Sequence, residues 1–192
     1  MAKKLITVEE WEYFPLTPQR WVDFETLFGP NGACAGCWCA WFLMTHREYN
    51  EAGKEGHKDL MRTLVHSGIE PGIIAYADGV PAGWIAFAPR ERYKRLATSK
   101  QLGAVDDKPV WVIPCFFVHR DYRRHGLMEK LLNAAVEYAR SRGVQTLEAF
   151  PLDVEGKMSS IQMFTGKSSV FYKLGFKDVA RREKRPILRL EL

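Results

Sequence analysis

The stretch from Lys108 to His119 constrains the fold more than any other part of the chain. It is dense in Val, Ile, Phe and Trp, and its apolar residues do not alternate with polar ones. A strand of this kind has both faces buried, which is typical of an α/β sheet covered by helices. An amphipathic helix follows, because Leu127–Ser141 places apolar residues in one stripe at helical spacing and ends before Gly143.

The other predicted elements complete a mixed sheet flanked by helices. Asp78-Gly79 is a strong turn dipeptide and predicts a hairpin, and Thr17-Pro18 predicts a helix start that the Thr17 hydroxyl can cap. In chain order the predicted elements are a strand at Trp11–Leu16, a helix at Trp21–Phe28, irregular chain over 31–44, a helix at His57–His66, hairpin strands at Gly72–Ala77 and Pro81–Ala88, a partly helical connection at Arg90–Leu102, the central strand and helix, a strand at Val144–Phe150, an insertion at 151–166, a helix at Ser168–Leu174, and strands at Phe176–Val179 and Ile187–Leu190.

Composition narrows the classes of function. The chain has 192 residues, of which 46% are hydrophobic, which supplies a packed core and excludes a disordered chain. The length indicates one domain over residues 1–192. A net charge of +5 permits an anionic ligand but does not require nucleic acid, and we expect none.

The sequence also predicts the compartment. The longest apolar run, Val110–Val118, is much shorter than the about 20 residues that span a bilayer, so we expect no membrane segment. The first residues lack the continuous apolar region of a signal peptide. The four cysteines are therefore expected to be thiols in a reducing compartment, and we expect a cytoplasmic protein.

A basic turn joins the central strand to the amphipathic helix. It reads His-Arg-Asp-Tyr-Arg-Arg-His-Gly-Leu-Met from His119 to Met128. A helix start with free N–H groups, basic side chains and a glycine that allows close backbone approach is suited to a diphosphate. A solvated basic turn that only caps the helix explains the same residues equally well, and spacing alone leaves both readings open.

This turn resembles the Arg/Gln-x-x-Gly-x-Gly/Ala signature of the GNAT N-acetyltransferase superfamily, with Arg123-Arg124-His125-Gly126-Leu127-Met128 in its place. The late segment Val170-Phe-Tyr-Lys-Leu-Gly-Phe176 is similar to a second motif of that family, "LYEKLGF". The resemblance extends over about residues 11 to 190 and implies the GNAT fold, with acetyl-CoA as donor and direct transfer of acetyl to an amine.

The resemblance implies which residues hold the donor. The main chain of Phe116, Phe117 and Val118 would pair with the pantetheine arm, and the segment Arg123–Met128, which includes Arg124, His125, Gly126 and Leu127, would hold the diphosphate. Met128 departs from the family's small residue, which implies a reshaped groove. A second departure is Phe171, which stands where many members carry a proton-donating tyrosine; Tyr172 lies about 100° further around the helix and is expected to point elsewhere.

Attack on a thioester needs a neutral amine, so the sequence should contain a base. The central strand has no carboxylate, and the nearest candidates are Glu148 on the next strand and then Asp153 and Glu155 at its exit. Glu148 and Asp153 could also bind a cationic acceptor. His119 and His125 are rival bases, although His125 is better explained as part of the phosphate turn. A carboxylate in an apolar strand is costly unless it has a task or a partner. Pairing of Glu148 with an arginine is the alternative that remains open.

Residues 34 to 42 combine cysteines with aromatics, as Cys34, Cys37 and Cys39 alternate with Trp38, Trp41 and Phe42. A structural zinc site normally has a second, separated ligand pair, and only His46 follows, so we expect no metal. We interpret the segment as a packed loop that forms one side of the acceptor pocket through Trp38, Trp41 and Phe42, joined by Trp84 from the second strand of the predicted hairpin.

The loop Gly-Ala-Cys-x-Gly-Cys-Trp-Cys and the ending Arg-Pro-Ile-x-Arg-Leu resemble the branch of class II aminoglycoside 2′-N-acetyltransferases, which act on kasugamycin. This resemblance implies a small-molecule amine acceptor, with an aminoglycoside favoured and antibiotic resistance as the consequence. Acetylation of a protein or peptide amine, and a non-catalytic module that only binds acyl-CoA, remain as alternatives. The sequence leaves a homodimer possible.

Overall fold

The computed structural model describes residues 6–153, 162–183 and 185–192, and within them it shows one mixed sheet with helices on both faces. The strands are β1 (Trp11–Pro15), β2 (Gly72–Ala77), β3 (Val80–Pro89), β4 (Trp111–Val118), β5 (Thr146–Ala149), β6 (Lys177–Arg182) and β7 (Arg185–Glu191). The helices are α1 (Trp21–Phe28), α2 (His46–His66), α3 (Lys94–Ala97), α4 (Leu127–Ser141) and α5 (Ser168–Lys173). The predicted fold class is confirmed, and so is the order of the elements.

The strands lie in the order β1-β2-β3-β4-β5-β7-β6. Every neighbouring pair is antiparallel except β4 and β5, which run parallel and are connected through α4. The β2–β3 hairpin turns at Asp78-Gly79, where both residues have positive φ (49° and 77°), as the dipeptide predicts. The Asp78 carboxylate also accepts hydrogen bonds from the Glu9 and Glu10 N–H groups.

The sheet separates two hydrophobic layers. On one face α4 and α5 pack on β2 to β5, with Leu131, Ile85 and Phe171 fully buried. On the other face α1, α2 and the segment 31–44 pack on β2, β3 and β4 around Trp84 and Phe24. The central strand β4 contributes to both layers, as its lack of alternation predicts.

The parallel pair β4–β5 separates toward its carboxyl ends. The two strands are paired only from Trp111↔Leu147 to Ile113↔Ala149, whereas β4 stays paired with β3 as far as Val118. An irregularity in the β3–β4 register precedes the divergence, since Ala88 faces Val112 and Ala86 faces Cys115. An extra residue on β4 bends the strand away from β5. The last residues of β4 therefore have no strand beside them on the β5 side.

Helix α2 differs from the prediction, which began it at His57. It begins at His46 and has 21 residues, with a kink at Gly53 (φ 60°). Its start carries a capping box, because the Thr45 hydroxyl accepts from the Glu48 N–H and the Glu48 carboxylate accepts from the Thr45 N–H. The start of α1 also differs, since residues 18–20 form a 3-10 turn and the Thr17 side chain caps nothing. No helix in the described ranges has the length and apolar character to cross a membrane.

Candidate active site

A cleft of about 590 Å³ opens where β4 leaves β5. Phe116, Phe117 and Val118 of β4 form its floor. The turn after β4 and the first residues of α4 form one side, and the segment from Met163 to Val170, which leads into α5, forms the other. A cleft of this size fits a cofactor or substrate of ordinary dimensions.

The turn beside the cleft directs hydrogen-bond donors into it. Gly126 caps α4 in the left-handed conformation (φ 69°), and the helix begins at Leu127, so the first N–H groups of α4 have no partner within the helix. Arg123 and Arg124 are exposed at this edge, and the Arg123 Nε donates to the Val118 carbonyl at 3.2 Å. The helix dipole and the two guanidinium groups make this end of the cleft chemically suited to an anion.

These residues fit a coenzyme A thioester. The basic turn and the N-terminus of α4 would hold the diphosphate, and the unpaired edge of β4 has main-chain groups available to the amide groups of the pantetheine arm. The apolar floor excludes water from the reacting end. Acetyl-CoA supplies the acetyl group as a thioester, and this chain's part is to bind, orient and shield it.

The structure brings together the residues predicted for the donor, with one exception. Phe116, Phe117, Val118, Arg123, Arg124, Gly126, Leu127 and Met128 all border the cleft, whereas His125 is not among its lining residues. The sequence analysis missed the opposite side, which is formed by Met163, Phe164, Lys167 and Val170. Val170 opens the late motif Val170–Phe176, so that motif was the available signal.

The sequence model of the acetyltransferase (GNAT) family matches residues 37–165, well over half of the chain. The chain belongs to the GNAT acetyltransferase family. It is an acetyl-CoA-dependent N-acetyltransferase. The assignment of the cleft described above as its donor site stays a prediction. No curated protein matches the chain.

Solved GNAT structures share its fold at low sequence identity. A GNAT acetyltransferase from Listeria monocytogenes has a TM-score of 0.57 at 13% identity, with 97% of this chain and 99% of that chain covered. The PaiA N-acetyltransferase from Thermoplasma acidophilum, in complex with coenzyme A, has 0.54 at 13%, covering 95% and 99%. A GNAT acetyltransferase from Brucella melitensis, in complex with acetyl-CoA, has 0.50 at 13%, covering 95% and 88%.

Glu148, predicted as a base, is fully buried in β5 of this GNAT domain and has a partner on each carboxylate oxygen. Oε1 pairs with Arg90, and Oε2 accepts from the Arg189 Nε at 2.9 Å. Arg189 also binds both oxygens of Asp106, at 2.7 and 2.9 Å. The four charges sum to zero, and the arrangement is the arginine pairing that the sequence left open. The role of Glu148 as a base stays a prediction.

Asp153, another predicted base, lies on the surface just after β5. The third carboxylate candidate, Glu155, lies outside the described residues. Its oxygens accept from the Ser168 hydroxyl at 2.8 Å and from Arg181 at 2.6 Å. These two hydrogen bonds, the one from Arg181 first, lower the pKa of the carboxyl below its usual range. The preceding residue, Leu152, forms a parallel bridge with Lys167 of the cleft. Asp153 therefore lies one residue beyond the wall of the donor site.

Phe171 occupies the position where many GNAT members carry a tyrosine. Its ring is fully buried and packs edge-to-face on Phe116, with ring centroids 5.9 Å apart. The Tyr172 hydroxyl points elsewhere, as predicted, and donates to the Asp178 carboxylate at 2.6 Å. Neither side chain can donate a proton into the cleft in this arrangement.

The aromatic residues predicted to contact the acceptor lie at different depths. Trp84 is fully buried, Trp38 and Phe42 are nearly so, and all three belong to the core on the α1 side of the sheet. Trp84 Nε1 donates to the Cys39 sulfur at 3.2 Å, so the buried indole N–H has an acceptor. We assign these three a packing role, because the structure leaves them little surface for an acceptor. Trp41 is partly exposed, and the Arg95 guanidinium stacks on its ring at 3.8 Å.

The cysteine segment is a tightly folded loop on the same face. Cys34 is exposed, Cys37 partly buried and Cys39 buried, and Cys39 belongs to the core cluster against which Cys115 of β4 packs. Buried His57 of α2 holds the loop through contacts of 2.8 Å to the carbonyl oxygens of Gly36 and Tyr49. Among the described residues, no group of three or more His, Cys, Asp or Glu side chains is arranged to hold a metal ion.

Proposed function

We propose that this GNAT enzyme transfers acetyl from acetyl-CoA to a primary amine of a small molecule, and that the 2′-amino group of an aminoglycoside is the favoured acceptor. The observation that carries this proposal is the way the segment 31–44 covers one face of the sheet. Trp38, Cys39 and Phe42 of this segment are buried beside β3 and β4, next to the strand that floors the donor cleft. A covering loop of this kind favours a compact acceptor over an extended peptide.

The two segments that resemble the aminoglycoside branch also shape the reacting end. The cysteine-rich loop packs through Cys39 against Cys115, one residue before the cleft floor begins at Phe116. The other segment is β7, where Arg185 donates to the Phe150 carbonyl at 2.9 Å and Arg189 binds Glu148. Both arginines fix the chain where β5 ends. These contacts support a preformed acceptor site between the loop and the exit of β5.

We assign proton removal from the acceptor amine to Asp153, directly or through water. Its carboxylate is partly exposed and adjoins the residue that bridges Lys167 of the cleft, whereas Glu148 has no exposed surface. Arg181 and Ser168 lower the pKa of Asp153, so the carboxylate is ionised but is a weaker base than an unpaired aspartate. Trp41, on whose ring Arg95 already stacks, is partly exposed and offers its remaining aromatic surface to a sugar. We also propose a cytoplasmic location, which the free thiols of the four cysteines support because a reducing compartment keeps thiols unpaired.

Release of free thiol from acetyl-CoA, measured with a panel of aminoglycosides, polyamines and peptides, tests the proposal. We expect turnover with kasugamycin-type aminoglycosides, little with peptides, and a mass increase at the 2′-amino group of the product. Asp153→Asn should lower kcat at every pH, with Asp178→Asn, a second carboxylate bound by Arg181 (2.9 Å), as the matched control. Turnover with peptides alone would replace the small-molecule acceptor by a protein one.

A further inference from the structure

Lys167 is a cation that lines the donor cleft but does not belong to the basic turn. It lies at the N-cap of α5, on the side of the cleft opposite Arg123 and Arg124. Lining residues on its own side, Met163, Phe164 and Val170, are uncharged. Lys167 is half-buried as a residue, and these uncharged neighbours offer its ammonium group no opposite charge.

The backbone around Lys167 is fixed. Lys167 bridges Leu152 in parallel register, while Gly166 O accepts from the Leu152 N–H at 3.0 Å and the Ser168 N–H donates to Leu152 O at 3.2 Å. Gly166 is pressed against the cleft floor, since a Cβ there would lie 2.8 Å from the Phe171 ring and 3.3 Å from the Phe116 ring. The start of the Lys167 side chain is therefore held at the edge of β4.

The nearby carboxylates are already engaged. Asp153 binds Ser168 and Arg181, and Asp178 binds Arg181 and Tyr172. Further along α5, Lys173 pairs with Glu129 of α4 at 3.3 Å. Across the described ranges, by contrast, no carboxylate pairs with Lys167, and no hydrogen bond engages its ammonium group.

We propose that Lys167 is a positioning residue for the donor, and that its ammonium group binds a phosphate of coenzyme A from the side of the cleft opposite the basic turn. The bound phosphates then lie between two cationic walls, which fixes the thioester end along β4. This inference rests on the assignment of the donor site and is independent of the acceptor. Because the group is partly exposed to solvent, we expect a moderate contribution to affinity.

Calorimetric titration of the full chain with coenzyme A, with no acceptor present, tests the proposal. Lys167→Gln nearly keeps the length of the side chain and removes its positive charge. It should raise the Kd for coenzyme A about fivefold to tenfold. Lys167→Arg keeps the charge and should stay within about twofold of the wild type. Lys173→Gln, on the same helix but paired outside the cleft, is the matched control and should bind normally. The same melting temperature in all four proteins shows that each is folded.

Two further ligands locate the interaction. If the Lys167→Gln penalty disappears with 3′-dephospho-CoA, Lys167 binds the 3′-phosphate; if it persists, Lys167 binds the diphosphate. With acetyl-pantetheine, which has neither group, Lys167→Gln and wild type should have equal kcat/KM.

Equal affinity of Lys167→Gln and wild type for coenzyme A overturns the proposal. An equal loss with acetyl-pantetheine also overturns it, because the lysine would then act at the thioester. So does an acetyl adduct on Lys167 in the intact mass, which would make the lysine an acceptor. Failure of the wild type itself to bind coenzyme A would instead refute the donor site.

Discussion

Glu148 carries a negative charge into the middle of the sheet, where Arg90 and Arg189 balance it and Asp106 balances Arg189 in turn. Glu148→Gln leaves an excess positive charge among side chains that are 0%, 6% and 15% exposed. Breaking such a buried pair lowers the free energy of unfolding by about 3 kcal/mol. For a domain of this size the melting temperature should fall by about 6–12 °C.

Urea unfolding and steady-state kinetics of Glu148→Gln separate the structural role from the catalytic one. Glu137→Gln, in an exposed pair with Arg140, is the control and should change unfolding by less than about 1 kcal/mol. The kcat of the folded variant at low temperature should stay near the wild-type value. A large loss of kcat with unchanged unfolding would contradict the packing role and restore Glu148 as the base.

Arg123 is the residue whose contribution to acetyl-CoA binding is easiest to test on its own. Its Nε is anchored to the Val118 carbonyl and its guanidinium borders the cleft, so it can form charge-assisted hydrogen bonds to phosphate. Arg123→Ala should raise KM for acetyl-CoA about fivefold to tenfold and leave kcat nearly unchanged. Arg140→Ala, at the other end of α4, is the control for loss of a surface charge. An unchanged KM in Arg123→Ala would refute the phosphate contact.

The orientation of individual side chains was only partly predictable. The sequence places Phe171 and Tyr172 correctly because one helical step rotates a side chain by about 100°, which separates a core position from an exposed one. It does not show the depth of Trp84, Trp38 and Phe42, because burial depends on what packs from distant parts of the chain. An aromatic next to a cleft and an aromatic beneath it have the same local sequence pattern.

The strand–turn–helix unit from β4 to α4 is the element to which we assign donor binding, and the chain changes direction at Gly126. Gly126 has φ 69° and open space around its Cβ position, so Gly126→Ala is resisted by the backbone alone. Gly143, at the other end of α4, has φ 70° and the same open surroundings. Each change to alanine should lower the free energy of unfolding by about 1 kcal/mol.

The two glycine variants make a matched pair. Gly126→Ala should also raise KM for acetyl-CoA, because relief of the left-handed conformation reorients the N–H groups of Leu127 and Met128. Gly143→Ala should leave KM unchanged, since it disturbs only the end of the helix. Thermal melts and donor kinetics on both proteins check this. Equal KM values in the two variants would show that the turn geometry does not govern donor binding.

Helix α2 shows why some elements escape prediction. The first half of α2 is polar, contains Gly53 and Gly56, and lacks the apolar stripe that marks α4. Tertiary contacts stabilise it instead, through His57 and the cysteine loop. The available signal was Thr45-x-x-Glu48, a capping box that marks the start. The strands were easier to predict from the sequence, because their β-branched and aromatic runs end at turn residues.

At the scale of the whole molecule, one side of the cleft could be predicted from the sequence and the other could not. The basic turn and α4 are contiguous with β4, so their proximity follows from local structure. The segment 163–170 reaches the cleft only because β4 and β5 separate, and that divergence depends on a register irregularity between β3 and β4. Such an irregularity arises from packing between strands and leaves no periodic signal.

Several surface carboxylates across the molecule have pKa values below their usual range. Hydrogen bonds from the Lys94 ammonium and then from the Thr45 N–H lower the pKa of Glu48 to about 2. Hydrogen bonds from Arg189 and then from the Lys108 N–H lower that of Asp106 to about 2. Hydrogen bonds to nearby side chains lower the pKa of two further carboxyls, Asp153 and Glu191.

These shifts predict acid sensitivity. Between about pH 5 and pH 2 the unfolded chain binds more protons than the folded one, so the free energy of unfolding falls as pH falls, and above about pH 6 these groups add no pH dependence. Urea unfolding at pH 6, 5, 4 and 3 measures the slope. Glu48→Gln should flatten it, and so should Lys94→Gln, which removes the principal hydrogen-bond donor. Lys100→Gln makes the same charge change at another exposed lysine and should keep the wild-type pH slope of the free energy of unfolding. An unchanged slope in Glu48→Gln would contradict the coupling of this carboxylate to folding.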